Sequence, residues 1–569
     1  MEDGDLDTYT CGEMDAFFAR LQAESDKGNF IKPSTVQDSV LHIEYYDGLR
    51  ITLLTDATCT FIQEFKATEW LTDFKFLSGG NSGPLKYRGD LMATTSLNPS
   101  GYSPLMCALS VNTRHGVRMR TVVQGKNGNM TDVEQDHGQV SDQDSVSVFG
   151  LYPDFENTIE VQVYSADGQY MFSETLIVQT GPMQFELPGI KVTTVDINGM
   201  QPGFTLVSER IYSNPSKPFM IDAFGECRWY LHLDEHPQLA DLNYDTGMER
   251  LSNGNLYFGD KITDAIYEMN FSGEVLNRID LAPYEYHHDV FEKPDGNFLV
   301  TATDLNSVHQ NGTWTIEDFV IEINREGERL HVWDIKDYLD ENRTTWDDNL
   351  NDLPIDWAHI NSVSYDSVDN SIIVSCRLQG VIKIGYDDEI KWILGPHRGW
   401  DTNRRGEDLN EFLLQPLDEA GNAIANLEVL DGTINDPEFE WNWFQHAVDV
   451  LPNGDIILFD NGEKRNYTGD ERYSRAVQYR IDSSEKTVKQ IWDYGKERGE
   501  FGFSRLVSDV DQLENGNILY APGFRVDNMN GEGAKLIELD PQTNNVLWEV
   551  EIESLGAFVT LHRAERMQF

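Results

Sequence analysis

Three histidines occupy one position of a repeating pattern. His288 lies six residues before Pro294 in PDGNFLV, and His446 lies six residues before Pro452 in PNGDIIL. His359 stands in the matching place before DNSIIV, and Ser508 in the matching place before ENGNILY. Asn361 follows His359 by two residues, the interval at which strand side chains share a face. Arg377 ends the next apolar run, SIIVSCR, within reach of the same pocket, while Cys376 beside it points to the opposite face as a core thiol. Imidazoles alone suit iron, copper or zinc. A guanidinium in the pocket adds like charge and argues against a divalent cation, whereas its paired N–H donors fit a tetrahedral oxyanion. The chain has no P-loop, no GxGxxG opening a helix and no Mg²⁺ carboxylate cluster. A phosphoryl dianion usually calls for a metal. A sulfate monoester carries a single negative charge and does not. Among these residues a neutral imidazole is the best nucleophile, because neighbouring cations disfavour its second proton. His287 is read as packing or support and His397 as a rim-loop residue, while His42, His115, His232 and His562 show no pattern and are read as structural.

The elements that must position these groups are strand hairpins. Six recur: FMIDAFGECRWYL, AIYEMNFSGEVLNRI, FVIEINREGERLHVWDI, GVIKIGYDDEIKWIL, AVQYRIDSSEKTVKQIWDY and AKLIELDPQTNNVLWEV. Five of their second strands carry a tryptophan: Trp229, Trp333, Trp392, Trp492 and Trp548. Such a repeat predicts an all-β chain containing a six-bladed β-propeller. In a propeller the innermost strand of each blade lines the central channel, so histidines at one register converge on the axis. Insertions at residues 335–358 and 396–440 fall on rim loops, where specificity is commonly set. The last strand, AFVTLHRAERM, is expected to complete the first blade and hide the ring's open edge.

Three domains are expected. Residues 1–92 form an N-terminal extension of unassigned role, with a short helix at DAFFARLQAES, strands at SVLHIEYY and LRITLLT, and a GGNSGP loop at 79–84. Residues 93–190 alternate with period two between KNGN and ADG turns and predict a small β-sandwich, which supports or dimerises rather than catalyses. Residues 191–569 are the propeller. The 97 acidic residues against 44 basic give a net charge of −53, a surface that repels nucleic acid and anionic membranes. The five cysteines are scattered and show no CxxC spacing, which is neither a disulfide framework nor a zinc site. No stretch approaches the length of a membrane span, and the N-terminal residues do not read as a signal peptide.

The segments DWAHINSVSYD, DNSIIVSCR, IKWILG and FQHAVDVLPNGDIILFDNG resemble the signature segments of bacterial arylsulfate sulfotransferases, which do not use phosphoadenosine phosphosulfate. The resemblance covers about residues 95–569. It implies transfer of a sulfuryl group from an aryl sulfate ester to a phenol by a ping-pong route through a sulfated histidine, with no cofactor and no metal. It implies His446 as the nucleophile, with His359, Asn361 and Arg377 holding the sulfuryl oxygens and His288 lining the pocket. Ser508 stands where a threonine is expected. The resemblance also implies export to the periplasm and leaves a homodimer open. Some members carry a short-range disulfide before the nucleophilic histidine; this chain has no cysteine after Cys376. The donor's ring is expected at the channel mouth against Trp357, Trp441 or Trp443, and His359 or His288 as the acid and base for the phenols. Alternatives are a His-ligated metal oxidase or dioxygenase, a quinone-cofactor propeller, and a non-catalytic propeller that captures sulfated or phenolic ligands.

Overall fold

The computed structural model describes residues 92–568 apart from short gaps at 113–116, 142–143, 166–167, 212–214, 346–348, 529–530 and 554–558; before residue 92 it describes five backbone strands. The runs read as SVLHIEYY and LRITLLT contain the strands Val40–Glu44 and Arg50–Thr55, paired antiparallel. The expected helix DAFFARLQAES and the GGNSGP loop lie outside the described residues.

The chain forms two compact units, one within Met1–Leu97, Cys107–Val148 and Glu156–Val178, the other within Asn98–Met106, Phe149–Phe155 and Gln179–Phe569. In the first unit a three-stranded sheet holds Met92–Leu97, Cys107–Asn112 and Ser145–Val148. A four-stranded sheet is ordered Tyr170–Gln179, Glu156–Tyr164, Val117–Val123, Val133–Val140. Period-two burial is plain in Glu156–Tyr164, where Asn157, Ile159, Val161 and Val163 are buried and the residues between them are more exposed. This is the small sandwich that the alternation predicts.

Among its described residues the second unit holds six sheets, one for each repeated hairpin. Their inner edge strands are β1 (Glu249–Arg250), β2 (Tyr284–Glu292), β3 (Ile360–Asp366), β4 (His446–Val450), β5 (Asp509–Gln512) and β6 (Val559–Met567). Five of the six neighbouring pairs of inner strands are tied by a side chain of one accepting a backbone N–H at the other. Glu292 accepts from Ser252 at 2.7 Å, Asp289 from Val363 at 2.9 Å and Ser362 from Val448 at 3.0 Å. Asp509 accepts from Ala564 at 3.0 Å and Glu565 from Arg250 at 2.9 Å, which returns the chain of contacts to β1. β6 pairs antiparallel with Phe204–Ile211, and Ile190–Val195 pairs with Asn545–Glu553, so strands from the unit's beginning complete sheets at its end.

The hydrophobic cores lie between consecutive sheets. One joins Leu299 and Val320 to Trp357, Ile360 and Val374; the next joins Ile373 and Trp392 to Val448 and Val477. The repeated tryptophans act as straps. Trp229 donates to Phe271 O, Trp492 to Asn544 Oδ1 and Trp548 to Ala223 O, each at 2.8 Å and each at a hairpin turn of the following sheet. Trp229, Trp333 and Trp548 are fully buried and Trp492 is half-buried.

The inner strands break their ladders at one level. Register shifts separate Tyr286 from Val290 in β2, Ile360 from Ser362 in β3 and His446 from Asp449 in β4. Left-handed φ values accompany them: 57° at His288, 51° at His359, 50° at Ala447 and 89° at Ser508. A bulge re-aims side chains, and strained residues of this kind cluster at functional sites.

Candidate functional site

These bulges gather side chains from separate sheets. The His288 and His359 rings are 5.3 Å apart between centroids, and the His288 and His446 rings 6.4 Å. The three imidazoles expected to converge do so.

His446 is 5% exposed, and its Nδ1 lies 2.7 Å from Asn461 Oδ1 and 3.2 Å from Phe444 O. The Asn461 amide nitrogen donates to Ser504 O at 2.8 Å and Val507 O at 3.0 Å, which fixes which end of the amide faces the ring. Nδ1 therefore carries the proton and Nε2 the lone pair. Burial holds this imidazole well below the usual histidine range; the Arg377 charge acts in the same direction, as do His562 and His359.

His359 is the electrostatic opposite. Its Nδ1 lies 2.6 Å from Asp356 Oδ2 and 2.8 Å from Glu317 Oε2. Burial works against its charged form, yet the two carboxylates outweigh it and raise the imidazole to about 9. Its Nε2 faces His288 Nε2 at 3.3 Å. His288 Nδ1 lies 3.3 Å from Asp245, and burial, then the charges of His287, His359 and His562, keep His288 well below the usual range. A charged His359 thus donates through Nε2–H toward a neutral His288. His287 pairs with Glu317, which makes it a support for the carboxylate that charges His359.

Other expected residues sit differently. Asn361 was placed on the His359 face by strict alternation, but it is the residue displaced from the ladder at the bulge of β3. Its amide donates to Gln445 O at 2.6 Å, so it fixes the backbone that delivers His446. The Ser508 hydroxyl contacts Ser504 Oγ at 2.8 Å and accepts from Gly523 N at 3.0 Å, and so braces its own loop. Trp357 is 2% exposed, donates to Asp318 at 3.0 Å and belongs to a sheet-to-sheet core rather than to a mouth; the apolar pull of that core outweighs the rim position its sequence suggested. Trp441 is likewise a core residue, donating to Val429 O. Trp443 is 6% exposed and lines a small cavity with Arg377, Phe444 and Tyr467. The Arg377 guanidinium stands 5.0 Å from the Phe444 ring. His397 braces the 396–440 insertion through Leu414 O and Leu430 O, as a rim residue should. Cys376 is fully buried and its thiol is pushed far up by that burial.

Several residues of the site were not singled out. Asp356 and Asn461 lie within the quoted segments, three residues before His359 and directly after LFD; their polar side chains beside candidate histidines were the available signal. Asp245, Glu317 and His562 gave none. The His562 ring lies 5.5 Å from that of His288 and is 6% exposed.

On the residues that follow the histidines, a cavity of about 350 Å³ is lined by Asp289, Asp449, Asp509, Asp511 and Glu565 with Arg563 among them. Burial pushes Asp289, Asp509 and Glu565 up to about 7.

Among the described residues, no helix is long and apolar enough to cross a membrane. The family model described as "Arylsulfotransferase (ASST)" matches residues 190–559, and that described as "Arylsulfotransferase Ig-like domain" matches residues 94–181. The chain is 26% identical over 558 residues to "Arylsulfate sulfotransferase AssT" of Escherichia coli O6:H1, a match covering 82% of this chain and 91% of that protein. The protein of the same description from Lelliottia amnigena is 26% identical over the same shares. Among solved structures, a Bacteroides caccae protein of unknown function aligns over 64% of this chain and 100% of its own at 15% identity, with a TM-score of 0.37. The Pseudomonas aeruginosa periplasmic gluconolactonase PpgL aligns over 79% of this chain and 100% of its own at 11% identity, with a TM-score of 0.30.

Proposed function

The chain belongs to the arylsulfotransferase family and is an aryl-sulfate sulfotransferase; on that premise we propose that it works by ping-pong transfer through a sulfated His446. The observation that carries this reading is the hydrogen bond of His446 Nδ1 to Asn461, 2.7 Å long, which leaves Nε2 as a buried lone pair in the field of the Arg377 charge. Nε2 attacks sulfur in line; the N–S bond forms as the S–O bond to the aryl group breaks. His359 Nε2–H gives its proton to the departing phenolate, and Arg377 faces the charge on the sulfuryl oxygens. The incoming phenol then returns a proton to His359, attacks sulfur, and releases His446. Asp356 and Glu317 suit His359 to this work, because they keep it protonated at neutral pH. His288 takes the place of its resting partner.

A nitrophenyl sulfate supplied without acceptor should leave one sulfuryl group on the peptide containing His446, detected by mass spectrometry. His446→Ala should lose both that label and turnover. An unlabelled His446 peptide with turnover retained in the variant would overturn the assignment.

One observation favours a second reading, a His-ligated metal enzyme: ligand atoms of His288, Glu317 and His359 lie within 4.8 Å of one another. Glu317, however, is engaged by imidazole nitrogens on both sides, which is how a charged general acid is built. Stoichiometric iron or copper lost in His288→Ala would favour the metal; tight ligand binding with no turnover would favour a binding protein. The same proposal takes the six sheets as six blades, residues 93–190 as the supporting domain and 191–569 as the catalytic one. It also takes the enzyme as exported and the homodimer as its assembly, which cell fractionation and light scattering test.

A further inference from the structure

A sulfuryl group presents three non-bridging oxygens, and each needs a donor inside a site closed to water. Two donors expected from the sequence are engaged elsewhere. The Asn361 amide holds Gln445 O at 2.6 Å, and the Ser508 hydroxyl is held by Ser504 and Gly523. His359 is committed to the phenol oxygen. Arg377 is the other donor expected from the sequence, and one side chain does not face every oxygen alone.

We infer that His562 belongs to the sulfuryl-transfer site, as an N–H donor to the sulfuryl oxygens. The inference rests on the sulfuryl-transfer reading above. His562 lies on β6, and the ladder skips it: Leu561 pairs with Glu209 and Arg563 with Ser208. It therefore sits at a bulge of its sheet, as His288 does on β2. Its ring meets that of His288 at 5.5 Å and 36°. Its charge acts on both His288 and His446, and the His288 ring that it meets lies 6.4 Å from that of His446. The flanking residues hold its strand in position. Arg563 pairs with Asp289, next to His288, at 3.1 Å, and Ala564 N donates to Asp509, next to Ser508, at 3.0 Å. The strand that closes the ring thus also delivers a group to the chemistry, and a site of this kind works only when its donors are held firmly.

The test compares His562→Ala with His562→Gln in the full chain. Turnover of a nitrophenyl sulfate with a phenol, binding of inorganic sulfate and of the phenol, and thermal unfolding are measured for each. Loss of one oxyanion donor lowers turnover by about 10²–10³, and that fall is expected for His562→Ala. His562→Gln keeps an N–H and should recover at least tenfold. Sulfate binding should weaken in His562→Ala while phenol binding stays within twofold. Turnover within threefold of the parent in a folded His562→Ala, or equal loss of sulfate and phenol binding, overturns the inference. Should His562→Ala fail to fold, His562→Gln decides: sulfate binding and turnover that both fall more than a hundredfold overturn a donor role that an amide can fill. The parent enzyme separates this from failure of the underlying reading, because it labels His446 whatever His562 does.

Discussion

Asn461→Ala isolates the contact on which the proposed nucleophile depends. In the parent, His446 Nδ1–H has Asn461 Oδ1 at 2.7 Å and only the longer Phe444 O at 3.2 Å besides. Removing the amide leaves a buried donor poorly matched, which costs about 1–3 kcal/mol. At about 1.4 kcal/mol per decade of rate, that alone slows attack roughly five- to hundredfold. A second effect adds to it. With Nδ1 unheld, the proton can move to Nε2 and the lone pair turns away from sulfur; in the Ser-His-Asp triad the wrong tautomer lowers kcat by about 10⁴. The expected fall in the sulfation step is therefore on the order of 10²–10⁴. The assay is the pre-steady-state burst of nitrophenol, which reports sulfation apart from transfer to the acceptor. The variant also frees Ser504 O and Val507 O, so circular dichroism and melting must accompany the kinetics. Asn461→Asp is the control, since it keeps an acceptor for Nδ1–H. Its added carboxylate raises His446, and the acidic limb of the burst rate should move to higher pH. A folded Asn461→Ala whose burst rate stays within threefold of the parent would refute the tautomer argument.

Two further predictions come from titration. His359 is raised to about 9, so the acid activity proposed for it is present below that pH and is lost as pH rises through it. Asp356→Asn should draw that alkaline limb downward and slow poor leaving groups more than nitrophenol, giving a steeper dependence of kcat on leaving-group basicity; an unmoved limb sinks the assignment. The carboxylates of the central cavity have the opposite sign from ordinary surface acids. Burial raises Asp289, Asp509 and Glu565 to about 7, so the folded state favours their protonated forms. The penalty for their charge is full above that pH and disappears as pH falls toward the unfolded value of about 4. Facing them are Asp449, Asp511 and Glu249, against Arg563 and Arg566. Melting temperature should rise between about pH 8 and pH 5.5, and Asp509→Asn should flatten the rise; a flat parent profile would contradict it.

Local periodicity made much of this protein legible. Hairpins, turns and their alternation are encoded within about fifteen residues, so six sheets, the small sandwich and the closing strand could be read directly. Register did the same for His288, His359 and His446, because residues at one place in a repeat occupy one place in the ring. The limit came where strands depart from regularity. A bulge breaks the period of two, and the rule that aligned Asn361 with His359 failed at the residue where β3 slips.

The sequence by itself determined that His288, His359 and His446 converge. The tertiary structure decided what each does there. Asn361 and Ser508 carry the right donors, yet backbone carbonyls and neighbouring loops engage them first. Trp357 has the right ring, yet the core holds it. Asp356, Glu317 and Asn461 set the protons of His359 and His446, and Glu317 reaches His359 from another sheet's loop. His562 comes from the far end of the chain, without a repeat neighbour to point to it. Local pattern fixes strands because each strand is stabilised by its own alternation. Hydrogen-bond partners and proton positions are fixed by competition among groups brought together only when the ring closes.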